Sequence, residues 1–115
     1  MRLVLAVIQP TKLKVVQEAL HKIGVERMTA CDALGYAQQR GAPTDEPASS
    51  GPLLLRKVAL EIAVNEDFLQ RTVATIAEVA RTGPRGAIGD GKIFVLPVEE
   101  VVRLSDTIRG PEGIS

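Results

Sequence analysis

The chain has 115 residues, a formal net charge of zero and a hydrophobic fraction of 45%, which predicts one small domain with an ordinary core. Balanced charge, with two Phe, one Tyr and no Trp, argues against a nucleic-acid-binding protein, which needs a basic surface and stacking side chains. The apolar runs are too short to span a membrane, and the first residues do not have the pattern of a signal peptide. The single cysteine excludes an internal disulfide. We therefore expect a cytoplasmic protein without direct membrane insertion.

The first half of the chain predicts a strand, a helix and a second strand. Residues 2–9 form a nearly continuous aliphatic run that ends before Pro10, which is typical of a strand buried on both faces. From Thr11 to Gly24 the apolar side chains recur with helical spacing and predict an amphipathic helix: Leu13, Val16, Leu20 and Ile23. Residues 27–34 then favour a second strand.

The second half repeats this order. Residues 56–64 predict a strand, because large aliphatic side chains alternate with charged residues or alanine. The aliphatic positions are Val58, Leu60, Ile62 and Val64. Asn65 is a suitable N-cap for a helix that reaches Gly83 with Leu69, Val73, Ile76 and Ala80 on one face, and residues 92–98 predict a fourth strand. Two βαβ units predict an α+β, ferredoxin-like βαββαβ sandwich, an antiparallel sheet with two helices on one face.

Two features of the sequence are not explained by a ferredoxin-like fold in a single chain. Helices cover only one face of such a sheet, yet the first strand is apolar on both sides, so we expect the other face to be an interface in a homo-oligomer. The connection over residues 36–55 is about 20 residues long, far above the usual length of about 4–6. Its centre is rich in Pro, Gly and Ser, which favours a mobile arm that binds a partner.

Residues 86–93, GAIGDGKI, nearly match the phosphate-binding pattern G-x-x-x-x-G-K-[ST] through Gly86, Gly91 and Lys92. A nucleotide-hydrolysing loop of this kind follows a strand and opens a helix. This stretch follows a helix and leads into a strand, and Ile93 replaces the hydroxyl that binds Mg²⁺. Taken alone, the motif fits either a plain turn, in which the glycines supply positive φ, or an anion-binding nest of backbone N–H groups.

The stretch GAIGDGKIFVLPVEEVVR resembles the B-loop region of PII signal-transduction proteins, whose pattern is T-G-x-I-G-D-G-K-I-F-V followed by P-V-x-x-V-x-R. The opening RLVLAVIQPTKLKVVQEALHKIGVERMT is similar to the PII opening, and GYAQQRG is similar to the family's entry into its T-loop. The resemblance covers the chain outside residues 41–55 as a single PII-like domain, 1–115. It implies a T-loop at about 36–55, a B-loop at about 83–92 and a C-terminal loop at about 103–115.

The resemblance implies a homotrimer that binds ATP or ADP between subunits and regulates a nitrogen-metabolism partner (a transporter, enzyme or regulator) through its T-loop. Many relatives also bind 2-oxoglutarate through Mg²⁺–ATP. It implies a nucleotide-binding set in this chain: Val7, Met28, Thr29, Gly35, Gln38, Gln39, Lys57, Glu61, Ile88, Gly89, Asp90, Gly91, Lys92 and Arg103. By the same resemblance, residues 89–92 would hold the phosphates, and Met28, Thr29 and Glu61 would lie around the adenine. Arg103 would reach phosphate across the subunit interface, and Gln39 and Lys57 would also contact Mg²⁺ and the effector.

Several positions depart from the family pattern. Gln38 and Ser105 stand where arginines are usual, Arg27 replaces a Gly, and Gln9 replaces a Lys. The B-loop is longer than usual, so Arg85 is the candidate for its missing lysine. The T-loop tip has no tyrosine for uridylylation, although it carries Ser49 and Ser50, and the only tyrosine of the chain is Tyr36. These departures predict nucleotide binding that is retained but altered and leave the 2-oxoglutarate response open.

They also motivate an alternative function, a PII-like interaction protein with an altered ligand response that regulates another process, such as bicarbonate or metal transport. No nucleophile lies with a base in a catalytic pattern, so we expect no enzyme. Asp90 is interpreted as a cap for backbone N–H groups, Cys31 as a small core residue and His21 as a solvated side chain.

Overall fold

The computed structural model describes residues 1–38 and 52–115. It contains six main elements, in chain order: β1 (Arg2–Ile8), α1 (Leu13–Lys22), β2 (Thr29–Gln38), β3 (Pro52–Val64), α2 (Glu66–Val79) and β4 (Gly91–Pro97). Short 3₁₀ turns cover Pro10–Lys12 and Gly110–Ile114. Within the described residues, neither helix combines the length and apolar character that crossing a membrane requires.

The four strands form one antiparallel sheet in the order β2-β3-β1-β4, which confirms the predicted ferredoxin-like fold. Side chains alternate across the sheet, and one face packs against both helices. That face and the helices make the core: Val4, Ala6, Ile8, Val58, Leu60, Ile62 and Val64 from the sheet, with Val16, Leu20, Leu69, Ile76 and Ala80 from the helices. The helical and alternating patterns therefore identified the core correctly.

The other face of the sheet is open in a single chain and is called the open face below. It carries a set of partly or fully exposed side chains, most of them apolar: Leu3, Leu5, Val7, Cys31, Ala59, Ala63, Phe94 and Leu96. Cys31 pairs with Ala59 on this face and is exposed, so the expectation that it packs in the core was wrong. Strand alternation places it opposite the helices. His21 is exposed, as expected.

The strands β2 and β3 pair further than the sequence predicted. Their ladder continues from Thr29 opposite Glu61 to Gln38 opposite Pro52, so the ends of the expected long loop are regular strand. Tyr36 lies opposite Leu54, and such aromatic–aliphatic pairs stabilise antiparallel ladders. The long hairpin carries the chain away from the helices, and residues 39–51 lie outside the described part.

Candidate functional site

Asp90 anchors the loop between α2 and β4. One carboxylate oxygen accepts hydrogen bonds from the N–H groups of Thr82 (3.0 Å) and Ala87 (2.7 Å), and the other accepts from the Thr82 hydroxyl (2.6 Å). The hydroxyl of Thr82, with the two backbone N–H groups, lowers the pKa of Asp90 to about 2. Asp90 is therefore ionised near neutral pH and its oxygens hold the loop, which confirms its interpretation as a cap for backbone N–H groups.

The same contact corrects the end of the second helix. The sequence pattern placed that end near Gly83, but α2 ends at Val79. The backbone N–H of Thr82 bonds to Asp90 instead of a helix carbonyl, so the chain leaves the helix early. At the other end, α2 begins after Asn65 as predicted, but the Asn65 side chain donates to the Pro111 carbonyl (3.3 Å) and does not cap the helix.

The glycines of this loop are required by its backbone. Gly89 and Gly91 have φ values of 98° and 122°, a region that other residues rarely adopt. A Cβ atom on Gly91 would lie 1.8 Å from the carbonyl oxygen of Val7. The loop backbone therefore approaches β1 as closely as a residue without a side chain allows, and this contact fixes where β4 begins.

A cavity of about 560 Å³ lies between this loop, the end of α2 and β4. Arg81, Arg85 and Lys92 line it, together with Gly86, Ile88 and Asp90. The rest of the lining is apolar and includes Ile76 and Ile93. The cavity therefore combines three cationic side chains with an apolar wall, and it includes the arginine that the sequence offered as a replacement for the missing loop lysine.

Lys57 and Gln9 connect this loop to the foot of the long hairpin. The ammonium group of Lys57 donates to the carbonyl of Gly89 (2.5 Å), and the side-chain amide of Gln9 donates to the same oxygen (3.3 Å). Gly35 on β2 pairs with Leu55 and is a diagonal neighbour of Lys57. It leaves room for the Lys57 stem, since a Cβ there would lie 3.2 Å from Cγ of Lys57. The Gly89 carbonyl is therefore bonded directly to a side chain at the foot of the long hairpin.

A second group of predicted residues lies elsewhere in the chain. Met28, Thr29 and Glu61 line a cavity of about 570 Å³, which also includes Arg27 and Ile114. Glu61 is four residues from Lys57 along β3, a distance of roughly 13 Å at the usual strand rise. Arg27, the residue that departs from the family pattern, therefore borders the expected adenine contacts.

Arg103 lies in the C-terminal segment, which also carries Ile114 of the second cavity. Its Nε donates to both carboxylate oxygens of Asp106 (3.0 and 3.1 Å) and its Nη2 donates to one of them (2.6 Å). Its Nη1 donates to the carbonyls of Glu112 (3.3 Å) and Ser115 (2.7 Å). The hydrogen bonds between the two side chains raise the pKa of Arg103 and lower the pKa of Asp106.

The predicted site residues thus fall into two groups within one chain. The first group contains Val7, Gly35, Lys57 and residues 88–92, and the second contains Met28, Thr29 and Glu61. Arg103 lies in the C-terminal segment and contacts other residues of that segment. The side chain of Gln38 and all of Gln39 lie outside the described part of the chain. Within residues 1–38 and 52–115, His, Cys, Asp and Glu side chains form no group of three that would bind a metal ion.

Sequence reasoning missed two side chains that shape these groups. Thr82 holds Asp90 from eight residues away, and no periodic signal marks that contact. Asp106 follows Arg103 at a spacing of three residues, which is a readable signal for an ion pair within a turn.

Comparison with known proteins identifies the family. A family model described as nitrogen regulatory protein P-II matches residues 1–107. The chain is 42% identical to nitrogen regulatory protein GlnK1 of Methanosarcina mazei, with 99% of this chain and 97% of the relative covered. It is 38% identical to nitrogen regulatory protein P-II of Azospirillum brasilense, with 99% and 100% covered. The crystal structure of Arabidopsis thaliana PII bound to citrate superposes with a TM-score of 0.79 at 36% identity and covers 99% of this chain and 89% of that one.

Proposed function

The chain belongs to the nitrogen regulatory protein P-II family, whose members are signal-transduction regulators and not enzymes, and from this premise we propose a specific activity for it. The protein forms a homotrimer in the cytoplasm, binds ATP or ADP between its subunits, and regulates a transporter or enzyme of nitrogen metabolism. The partner is contacted through the loop at residues 36–55, and the nucleotide alters how that loop is presented.

The separation of the predicted nucleotide contacts into two groups carries this proposal. The loop around Gly89 offers a cationic, glycine-lined surface for phosphates, and Met28, Thr29 and Glu61 border a distinct cavity suited to a base. The two groups lie roughly 13 Å apart along the same strand, measured from Lys57 to Glu61. A cleft between two copies, which brings the first group of one subunit to the second group of its neighbour, supplies both halves of one nucleotide site.

The open face supports assembly. Its aliphatic and aromatic side chains include Leu5 and Phe94, which pair across β1 and β4, and Leu3 and Leu96, which pair two residues away. Phe94 and Leu96 are exposed in the single chain. An apolar patch of this kind is typical of an interface between proteins, and closed symmetry is the usual arrangement for identical subunits.

Lys57 provides the physical link from nucleotide to partner. Its ammonium group donates to the Gly89 carbonyl, and it lies on β3, the strand of the long hairpin that follows residues 39–51. A phosphate group attracts the same ammonium group more strongly than a neutral carbonyl does. Binding would therefore release Gly89 and change the contacts at the hairpin foot, which biases the population of loop conformations.

A small carboxylate effector fits the same region. Lys57 is the cation at the hairpin foot, and the citrate-bound relative supports acceptance of such an anion. We propose that Mg²⁺–ATP and 2-oxoglutarate, if they bind together, use Lys57 with Gln39.

The alternative function, an interaction protein with an altered ligand response, is favoured by one observation: Arg103 already has a carboxylate partner in Asp106.

Calorimetry with ATP, with ADP, and with Mg²⁺–ATP plus 2-oxoglutarate tests the proposal. We expect nucleotide to bind and Lys57→Ala to weaken it about ten- to a hundredfold, since hydrogen bonds to charged groups have this effect. Lys14→Ala, which removes an exposed lysine from α1, is the matched control and should leave the affinity unchanged. Light scattering should give roughly 37 kDa, three copies of a 12.3 kDa chain.

Failure of every nucleotide to produce heat would refute the sensor function, and a monomer in solution would refute the shared site. A pull-down of partners with and without ATP separates the two candidate functions. Nucleotide-dependent capture of a nitrogen-metabolism protein supports the first. Capture of a different transporter, without response to nucleotide, supports the alternative.

A further inference from the structure

We infer that Asp106 competes with nucleotide phosphate for Arg103 and thereby sets the nucleotide affinity of this protein. This inference rests on the proposed function, because it assumes that Arg103 reaches phosphate across a subunit interface. It concerns a residue that the sequence comparison with the family pattern did not single out. Its basis is the arrangement of hydrogen bonds around the guanidinium group.

Most of the donors on Arg103 are already engaged within its own subunit. A guanidinium group has five N–H donors, one on Nε and two on each Nη nitrogen. The Nε donor and one Nη2 donor bind Asp106, and the Nη1 nitrogen contacts the carbonyls of Glu112 and Ser115. Strong recognition of a phosphate by arginine uses two parallel donors. In this arrangement one donor is left, on Nη2, so a bidentate contact requires Arg103 to release one of its partners. Asp106 has three of the five contacts and a negative charge, so it is the partner that opposes phosphate most strongly.

The turn that contains Asp106 holds the carboxylate in position for this contact. Asp106 accepts a hydrogen bond from the N–H of Ile108 (3.1 Å). The backbone of Arg103 closes the same turn, since its N–H donates to the Ile108 carbonyl (2.9 Å) and its carbonyl accepts from the N–H of Thr107 (2.7 Å). Thr107 has a φ of 58°, the left-handed conformation that a tight turn requires. The ion pair is therefore built into the segment.

The pair is also accessible enough to exchange. The side chains of Arg103 and Asp106 keep 31% and 41% of their full exposure, so solvent and ligand reach both. Ion pairs at such exposure are weak and a phosphate carries more charge than one carboxylate, so nucleotide can displace Asp106. The displacement nevertheless reduces the observed affinity. Asp106 therefore weakens nucleotide binding without abolishing it.

The substitution Asp106→Asn tests this inference, because the amide oxygen still accepts from Ile108 while the negative charge is lost. We expect calorimetry with ATP to give a dissociation constant roughly three- to tenfold lower than that of the parent. In the Arg103→Ala background, Asp106→Asn should produce no gain, which is the coupling that a double-mutant cycle measures. A purely structural role for Asp106 would not depend on Arg103 in this way.

Glu100→Gln is the matched control. It removes one carboxylate from the same segment. Like Asp106, Glu100 is paired with an arginine, since its Oε1 lies 2.7 Å from Nη1 of Arg109. It should leave the affinity unchanged, which separates the contact with Arg103 from a general change in surface charge. Asp106→Glu, which restores the charge, should return the affinity towards that of the parent.

Two results would overturn the inference. An unchanged affinity in Asp106→Asn means that the pair does not compete with phosphate, and a weaker affinity means that Asp106 orients Arg103 towards the ligand. In both cases the parent binds nucleotide and the proposed function stands. Absence of nucleotide binding by the parent and by all variants would refute the proposed function itself, and the inference with it.

Discussion

Substitution of Gly91 by alanine tests whether the close approach of the loop to β1 fixes the start of β4. The new Cβ atom would lie 1.8 Å from the Val7 carbonyl oxygen, about 1.6 Å short of ordinary van der Waals contact. The residue would also need a φ of 122°, which disfavours any residue with a side chain. The backbone must therefore shift, and β4 must separate from β1 at its first pair, Gly91 with Ile8.

The free-energy costs of the backbone strain and of the steric contact can both be estimated. A residue in a sparsely populated backbone conformation costs about 1–3 kcal/mol, and an overpacked contact costs about 1–3 kcal/mol more. We expect Gly91→Ala to lower the free energy of unfolding by about 2–6 kcal/mol, which is a large part of the stability of a small domain. Gly89→Ala is the matched control, because Gly89 has a φ of 98° but no atom within 4 Å of its Cβ position. It should cost only the conformational part, about 1–3 kcal/mol.

Urea unfolding followed by circular dichroism measures both variants. The protomer concentration must be the same in all experiments, since the stability of an assembled protein depends on it. The informative quantity is the difference between the two variants, because the backbone strain is common to both. A difference below about 0.5 kcal/mol would refute the reasoning, since it would mean that the contact between Gly91 and Val7 does not position β4.

Two further predictions follow from the loop anchor and the open face. The pKa of Asp90 is lowered in the folded chain, so its contribution to stability is present above the ordinary value of 3.8 and is lost as the pH falls towards about 2. Asp90→Asn should flatten the decline in thermal stability between those pH values relative to Asp67→Asn, and an unchanged slope would contradict the anchor. Phe94→Asp should disrupt the proposed homo-oligomer in light scattering, while Val15→Asp, at a similarly exposed apolar position on α1, should not. An intact assembly in Phe94→Asp would exclude the open face as the interface.

Local patterns in the sequence predicted the fold because they depend on neighbours along the chain. The spacing of Val16 and Leu20 in α1 and the alternation of Leu60 and Ile62 in β3 each specify one buried face, and the structure confirms both. The start of the long hairpin was missed because it depends on pairing between residues far apart, such as Tyr36 with Leu54. The aliphatic residues 53–55 next to the predicted strand were the available signal.

The candidate site was predicted in type but not in geometry, for a similar reason. The glycines and Lys92 were recognisable as a sequence motif, but the motif does not predict which atoms hold the loop in place. Thr82 and Asp90 form that contact, and alternation in β2 did not reveal that Cys31 lies on the open face. The face of a strand that is covered depends on topology, and a single strand pattern contains no information on topology.

Three consecutive residues leading into β4, Gly89 to Gly91, are held by different kinds of contact. At Gly91 the backbone is fixed against β1 by its close approach to Val7, and at Asp90 it is tied to Thr82 by short hydrogen bonds. The Gly89 carbonyl, in contrast, is held by two long, exposed side chains, Lys57 and Gln9. Under the proposed function, a phosphate that takes Lys57 leaves Gln9 as the remaining described donor, so the loop stays in place while the hairpin foot loses its cationic contact. In the proposed function, this division would let a nucleotide alter the presentation of the hairpin without unfolding the surface that binds it, which is what a sensor requires.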